Sequence, residues 1–282
     1  MQTQKPYWEA YLGSAMYYDA HVHSAASPDS ESDPLEVITA LKSKGLGVTF
    51  TEHVDFVTPK IGRDLSATDA PKIARDFICD FEIYPSTYRH LRSNSVLLGL
   101  EIGLTAAYLE LNAQTAGNDY DFILGSVHYV DGIDLYYDAP KMEAEPFLRR
   151  YLTYSLEMVE LSGFFDSFAH IDYITRYDNK ADRLFSYSNF PREFDALLKA
   201  LADRDLAIEI NTARLDKAYV ARQLLPIYKR FKELGGKYVT IGSDAHSLEG
   251  LGRCFDKALE IAREAGLTPV YFKNRKRFLC DG

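Results

Sequence analysis

Seven histidines stand in this chain: His21, His23, His53, His90, His128, His170 and His246. Six of them fall at or just after the end of a short apolar run; His90 instead follows Tyr88 and Arg89 in a helical stretch. Neutral imidazole binds zinc, manganese and iron. His21-Val22-His23 puts two imidazoles at i and i+2, on one side of a strand, where they can share an ion while Val22 packs the other way. An isolated pair of this kind also arises by chance. Ser243-Asp244-Ala245-His246 repeats the spacing with a carboxylate and an imidazole, a donor pair for a divalent cation. Asp244 is equally placed to cap the segment that follows. Glu101 ends the apolar run 96–100. A carboxylate there is costly to bury without a partner, and its two oxygens could bridge two ions. The alternative is a salt-bridged or surface glutamate. His53, His128 and His170 each follow an apolar run, as ligands or as hydrogen-bonded structural residues. Asp29, in Ser27-Pro28-Asp29-Ser30, has the composition of an ordinary turn.

The elements that must position these residues alternate in type. Apolar runs at 16–21, 47–51, 96–101, 122–127, 167–171, 206–211 and 238–242 read as strands. Helical spacing fills 144–161, 191–202, 220–234 and 248–265. Asp33-Pro34 marks a helix start and Gly45 the end of that helix. Strands alternating with helices imply parallel pairing and an α/β class. Seven strands in one domain favour a closed barrel. Strand C-termini converge on one face of such a barrel, and that face carries active sites. Six independent structural histidines would not all need the same rim. The polar stretches 55–70 and 131–140 are expected to be loops near the site.

A length of 282 residues with 46% hydrophobic side chains suits one domain over 1–282 with a substantial core. The net charge of -9 offers no general field for nucleic acid, so an anionic substrate must be held locally, by metal ions or a few arginines. Cys79, Cys254 and Cys280 form no disulfide framework and fit a reducing cytosol. The N-terminal stretch has no signal-peptide pattern, and no apolar run is long enough to span a bilayer. A cytoplasmic location without a membrane partner is expected. The sequence fixes no oligomeric state.

Taken in order, Asp19-Ala20-His21-Val22-His23, Thr51-Glu52-His53, Gly99-Leu100-Glu101, Gly125-Ser126-Val127-His128, Ala169-His170-Ile171-Asp172 and Gly242-Ser243-Asp244-Ala245-His246 resemble the motifs of the polymerase and histidinol phosphatase (PHP) family. Each piece is weak; the ordered set, spread over about residues 17–265, is specific. Ser-Val-His and Ile210-Asn211-Thr212 look like the histidinol-phosphatase branch. The resemblance implies a distorted (β/α)7 barrel with a cluster of three divalent ions (zinc, manganese or iron) at the C-terminal ends of the strands. Carried over motif by motif, His21, His23, Glu101 and Asp244 would hold the first ion. Glu101, His128 and His170 would hold the second, and Asp29, His53 and His246 the third. Relatives often carry histidine at the Asp29 position, which leaves the third ion's identity open. Glu52 replaces a common aspartate, as a support for the ligands or as a structural residue. Asp19 and Asp172 would orient histidines or serve as hydrogen-bond partners at the rim.

The implied activity is hydrolysis of a phosphomonoester, L-histidinol phosphate, with Glu101, Asp244, His246 and Arg176 in the catalytic apparatus. Arg176 and Arg214 are candidates to hold phosphate by a bidentate fork, or else surface ion pairs. Arg253 is a third choice. Ala213-Arg214 departs from the Ser-Gly version of its segment. The alternatives are a PHP phosphoesterase for another substrate, a non-catalytic metal-binding module, and an amidohydrolase-like barrel. The last would want a carboxylated lysine as bridge, and the strand ends offer none.

Overall fold

Parallel strands buried on both faces read as near-continuous apolar runs, because helices cover the outside and side chains fill the inside. The computed structural model describes residues 17–56, 78–117 and 119–280. Its strands are β1 (Tyr17–Val22), β2 (Leu46–Val54), β3 (Val96–Gly103), β4 (Phe122–Ser126), β5 (Tyr129–Val130) and β6 (Ile133–Asp134). They continue with β7 (Ser167–Phe168), β8 (Ala207–Asn211), β9 (Tyr238–Gly242), β10 (Thr268–Lys273) and β11 (Lys276–Leu279). Eight of them pair in parallel, in the order β1-β2-β3-β4-β7-β8-β9-β10, and the first seven in that order make up the barrel sheet.

The two ends of this sheet meet just beyond the C-terminus of β9. Val22 bridges Ala245 in parallel. Asp244 N donates to His21 O (2.7 Å) and His23 N to Ala245 O (3.0 Å). Buried Asp19 tightens the seam by accepting from Ser243 N (2.7 Å) and Gly252 N (2.8 Å). The result is a distorted seven-stranded barrel, closed at the end where the histidines lie. At the opposite end β10 pairs with the start of β9, and the β10–β11 hairpin fills the opening. Phe272 stacks on Phe122 at 5.3 Å inside a small apolar cluster, and Arg275 at the hairpin turn bonds Asp166 at 2.6 Å.

Helices cover the outside for the reasons their sequences supply. Asp33 caps the helix Pro34–Ser43 by accepting from Leu35 N and Glu36 N, and Gly45, at φ 72°, takes the left-handed turn that ends it. The helix Pro191–Asp203 turns Phe194, Leu197, Leu198 and Leu201 inward. Each such side chain contributes about 1.5–3 kcal/mol by burial. No helix among the described residues is long and apolar enough to cross a membrane.

Several expected boundaries shift. β2 and β3 run three and two residues past their expected ends at 51 and 101, to Val54 and Gly103, because His53 pairs in register with Glu101 and Val54 with Ile102. Their polar side chains face the barrel interior, where a surface pattern gives no warning of continuation. The expected strand 167–171 keeps its ladder only at Ser167–Phe168, since His170 N donates instead to Glu209 Oε2 (2.7 Å). The expected helix 248–265 begins at Phe255, after left-handed Gly252 and Cys254 (φ 61° and 48°). The expected loop 131–140 contains part of the β5–β6 hairpin. Residues 57–70 of the other expected loop, and Met16 of the first expected strand, lie outside the described residues.

Candidate metal centre

Six of the seven barrel strands, all but β8, deliver donors to one small volume. His21 ends inside β1 and His23 follows it, both fully buried, while Val22 packs into the main core on the other side. Glu101 arrives from β3, His53 from β2, His128 after β4, His170 after β7, and Asp244 and His246 after β9. Asp244 holds a left-handed backbone at φ 56°, a conformation aspartate tolerates better than most residues. Gly242 makes room for the cluster: a Cβ there would lie 2.2 Å from His21 Cβ and 2.4 Å from Glu209 Oε1.

The donor atoms fall into three groups. In the first, His21 Nε2 lies 3.2 Å from Glu101 Oε2 and 3.4 Å from Asp244 Oδ1. His23 Nε2 lies 3.6 and 3.5 Å from the same two oxygens. In the second, Glu101 Oε1 is 3.2 Å from His128 Nε2 and 2.7 Å from His170 Nε2, which are 3.4 Å apart. In the third, Asp29 Oδ2 is 3.4 Å from His53 Nε2 and 3.0 Å from His246 Nε2, and those nitrogens are 3.3 Å apart. Ligands of a tetrahedral ion with bonds of about 2.0–2.1 Å stand roughly 3.3–3.4 Å from one another. Most of these separations fit divalent cations; Glu101 Oε1 and His170 Nε2, at 2.7 Å, stand at hydrogen-bond distance. The same donors also approach in other combinations, such as His23 with His53 and His246. Glu101 Oε2 of the first group also lies 3.0 Å from His53 Nδ1, so the groups adjoin one another.

Hydrogen bonds orient the rings. His21 Nδ1 donates to Glu209 Oε1 (2.7 Å), His128 Nδ1 to Asp55 Oδ2 (2.9 Å) and His246 Nδ1 to the Asp244 carbonyl (3.1 Å). His23 Nδ1 reaches Ser27 Oγ (3.3 Å), whose hydroxyl donates to Glu52 Oε2 (2.6 Å). With the proton placed on Nδ1, each ring turns a lone pair at Nε2 into the cluster, the arrangement metal ligands require. His21 Nε2, His23 Nε2 and Glu101 Oε2 are buried with no hydrogen-bond partner among the described residues. Buried polar atoms are rarely left so.

Charge makes the same demand. Three carboxylates, Glu101, Asp244 and Glu209, stand within 3.4 Å of the His21 ring nitrogens. Burial alone would depress the His21 pKa, but Asp244, Glu209 and Glu101 drive it well above the usual imidazole value. Burial would likewise raise Glu101, and His21, His128 and His53 overcome it and hold it well below the carboxylate range. Burial lowers His23, helped by His53 and His246, and keeps it neutral. A cation in the cluster satisfies the carboxylates that now draw protons onto His21.

A model of the PHP domain matches residues 19–213. The chain belongs to the PHP family. A Clostridium acetobutylicum protein named "Probable histidinol-phosphatase" is 38% identical over 266 residues, covering 92% of this chain and 98% of that protein. The "Histidinol-phosphatase" of Lactococcus lactis is 30% identical over 261 residues, covering 88% of this chain and 91% of the relative. A crystal structure of the Lactococcus lactis histidinol phosphate phosphatase, complexed with zinc, L-histidinol and phosphate, superposes with a TM-score of 0.74 at 26% identity. That match covers 93% of this chain and 98% of the other.

Outside the donor groups, this PHP domain corrects some expected positions. Arg214 does not line the cleft over the cluster. Its guanidinium is taken up by Thr175 Oγ1, by Asp172 (3.3 Å) and by Asp182 (2.7 Å). It stands in a buried ion pair rather than the surface one weighed as the alternative. Arg253 bonds backbone carbonyls of Gly250 and Ala213. Among the described residues no hydrogen bond or ion pair joins the Asp19 or Asp172 side chain to a histidine; they serve the barrel seam and Arg214. The residues that do orient histidines include Glu209 and Asp55, which sequence reasoning missed. Glu209 left a signal, since it stands between buried Ile208 and Ile210 on a strand. Asp55 was hidden at the head of a polar stretch. Glu52 supports His23 through Ser27 and also binds Ser24, and burial pushes its carboxyl up to about 7 against the pull of those hydroxyls.

Arg176 lies differently. Its Nη1 binds Asp244 Oδ2 at 2.5 Å and its guanidinium stacks over Tyr173 at 5.0 Å. Nε and Nη2 are buried without a partner among the described residues. Arg176 lines a cleft of about 320 Å³ together with Asp29, His53, His128, Asp244 and His246. A site of that volume takes a small metabolite.

Proposed function

We infer that this chain is a metal-dependent phosphomonoesterase that hydrolyses L-histidinol phosphate to L-histidinol and phosphate, a step of histidine biosynthesis. The observation that carries the reading is the convergence of three donor groups, two of them sharing Glu101, beneath a cleft that Arg176 also lines. His21, His23, Glu101 and Asp244 would hold one divalent cation, Glu101, His128 and His170 a second, and Asp29, His53 and His246 a third. Zinc, manganese and iron all suit such nitrogen and oxygen donors. When bound, they would acidify a water and offset charge on the phosphoryl oxygens.

The chain's own residues do the remaining work. Arg176 offers Nε and Nη2 as a fork to a phosphoryl oxygen, and Asp244 and the Tyr173 ring hold that fork in place. Glu209, Asp55 and the Glu52–Ser27 pair keep the histidine rings aimed at the cluster. The buried walls keep bulk water out, which strengthens every charge inside. The free cysteines Cys79, Cys254 and Cys280 fit a cytosolic enzyme. The reading takes the chain as one PHP-type domain over 1–282, with a small phosphomonoester as its partner rather than nucleic acid or membrane.

A panel of phosphomonoesters tests the substrate, and Arg176→Ala tests the site. Wild-type enzyme should prefer L-histidinol phosphate by orders of magnitude. Arg176→Ala should lower kcat/KM by roughly 10²–10³-fold, the scale for losing a preorganised charged donor. An unchanged ratio would remove Arg176 from the mechanism.

A further inference from the structure

The tyrosines at the lip of the cleft have no part in holding cations or phosphate. Tyr136, Tyr137 and Tyr177 are 48%, 51% and 39% exposed in a chain whose other large aromatics are mostly buried. All three line the cleft. Tyr136 meets Tyr177 edge-to-face at 4.4 Å, and Tyr177 meets Tyr173 at 5.7 Å. Tyr173 lies 4.7 Å from the rings of both His128 and His170. A continuous wall of rings thus leads from the donor groups outward. Aromatic faces exposed at a pocket mouth favour a flat or cationic ring over an aliphatic chain.

Four aspartates line the same cleft: Asp29, Asp55, Asp134 and Asp244. Asp29, Asp55 and Asp244 face cluster histidines. Asp134 differs. Its Oδ1 accepts from Tyr136 N (2.8 Å) and Tyr137 N (3.2 Å), which holds the carboxylate against the backbone that carries the two rings, and its Oδ2 has no partner among the described residues. Asp134 pairs across the β5–β6 hairpin with Tyr129, the neighbour of His128, and Leu135 N donates to the His128 carbonyl (3.0 Å). Paired residues of an antiparallel ladder have Cα atoms about 4.5–5.5 Å apart. The carboxylate is therefore one short step from a ligand of the cluster.

We propose that Asp134, with the Tyr136–Tyr177 ring pair, is the specificity subsite that reads the amino-alcohol half of the substrate. The inference rests on the reaction proposed above and names the residues that select its leaving group. L-histidinol phosphate carries a primary ammonium on the carbon next to the ester carbon, and an imidazole one carbon further. With phosphate on Arg176, the ammonium falls near the ester oxygen, where Asp134 Oδ2 receives it. The imidazole continues to the exposed ring pair. A phosphomonoester without an amine leaves Oδ2 unanswered.

The test compares wild type and Asp134→Asn on three substrates: L-histidinol phosphate, the analogue lacking the amino group, and p-nitrophenyl phosphate. Asparagine keeps the oxygen that accepts from Tyr136 N and Tyr137 N and removes the charge. For L-histidinol phosphate, Asp134→Asn should lower kcat/KM by roughly 10–100-fold, mainly through KM, as for a lost charge-assisted hydrogen bond. For the deaminated analogue and p-nitrophenyl phosphate, the two enzymes should agree within about twofold, since neither contains the group that Asp134 binds. Equal losses on all three substrates would mean a structural role and overturn the proposal. So would an unchanged KM for L-histidinol phosphate in a wild type that prefers that substrate. A wild type with no such preference would instead overturn the reading of the reaction, and this subsite with it.

Discussion

Glu101→Gln is expected to lower kcat/KM towards phosphomonoesters by about three to four orders of magnitude, with a matching loss of bound metal. The side chain is fully buried and splits its two oxygens between two groups of donors, Oε2 towards His21 and His23, Oε1 towards His128 and His170. Glutamine fills the same volume. It removes the charge and turns an amide N–H₂ towards one set of imidazole lone pairs. Either orientation spoils one group, and the shared position couples that damage to the other. Steady-state kinetics and metal content of the variant check this. Activity within tenfold of wild type with full metal content would show that Glu101 bridges nothing.

Stripping divalent cations with a chelator should abolish phosphatase activity and lower Tm by about 5 °C or more, and adding zinc or manganese should restore both. The cause is electrostatic. Glu101, Asp244 and Glu209 crowd His21 in a buried site where Arg176 is the fixed cation on Asp244. Ions that bind the folded chain and not the unfolded one stabilise by mass action, and removal leaves the carboxylates to be met by protons. Thermal unfolding followed alongside activity separates this from simple inhibition. An enzyme that keeps its activity after exhaustive chelation would refute the role of the cluster.

Much of this was legible in the chain. The seven barrel strands follow from apolar runs of the right length, and histidines mark the C-terminal ends of five of them. His21-Val22-His23 shows why: the period of a strand sends both imidazoles inward and Val22 into the core. Extents were harder. β2 and β3 continue through His53 and past Glu101 because inward polar side chains find partners across the barrel, information that local periodicity does not hold. The hairpin β10–β11 alternates Val270 and Phe272 inward, yet nothing near it bears chemistry to draw the eye. Arg214 shows the limit of position. It follows β8 at the correct rim, as Arg176 follows β7, and only the pairing with Asp172 and Asp182 tells the two apart. Asp134 was hidden for the opposite reason, within a stretch whose polar composition reads as loop.

The central claim is that three groups of side chains, distant in sequence, hold three divalent cations around Glu101. Anomalous diffraction from crystals of the purified protein, collected at the edge of the metal found by elemental analysis, tests it directly. The account predicts three peaks in each chain: one among His21, His23, Glu101 and Asp244, one among Glu101, His128 and His170, and one among Asp29, His53 and His246. Active crystals with no anomalous peak beside Glu101 would contradict it.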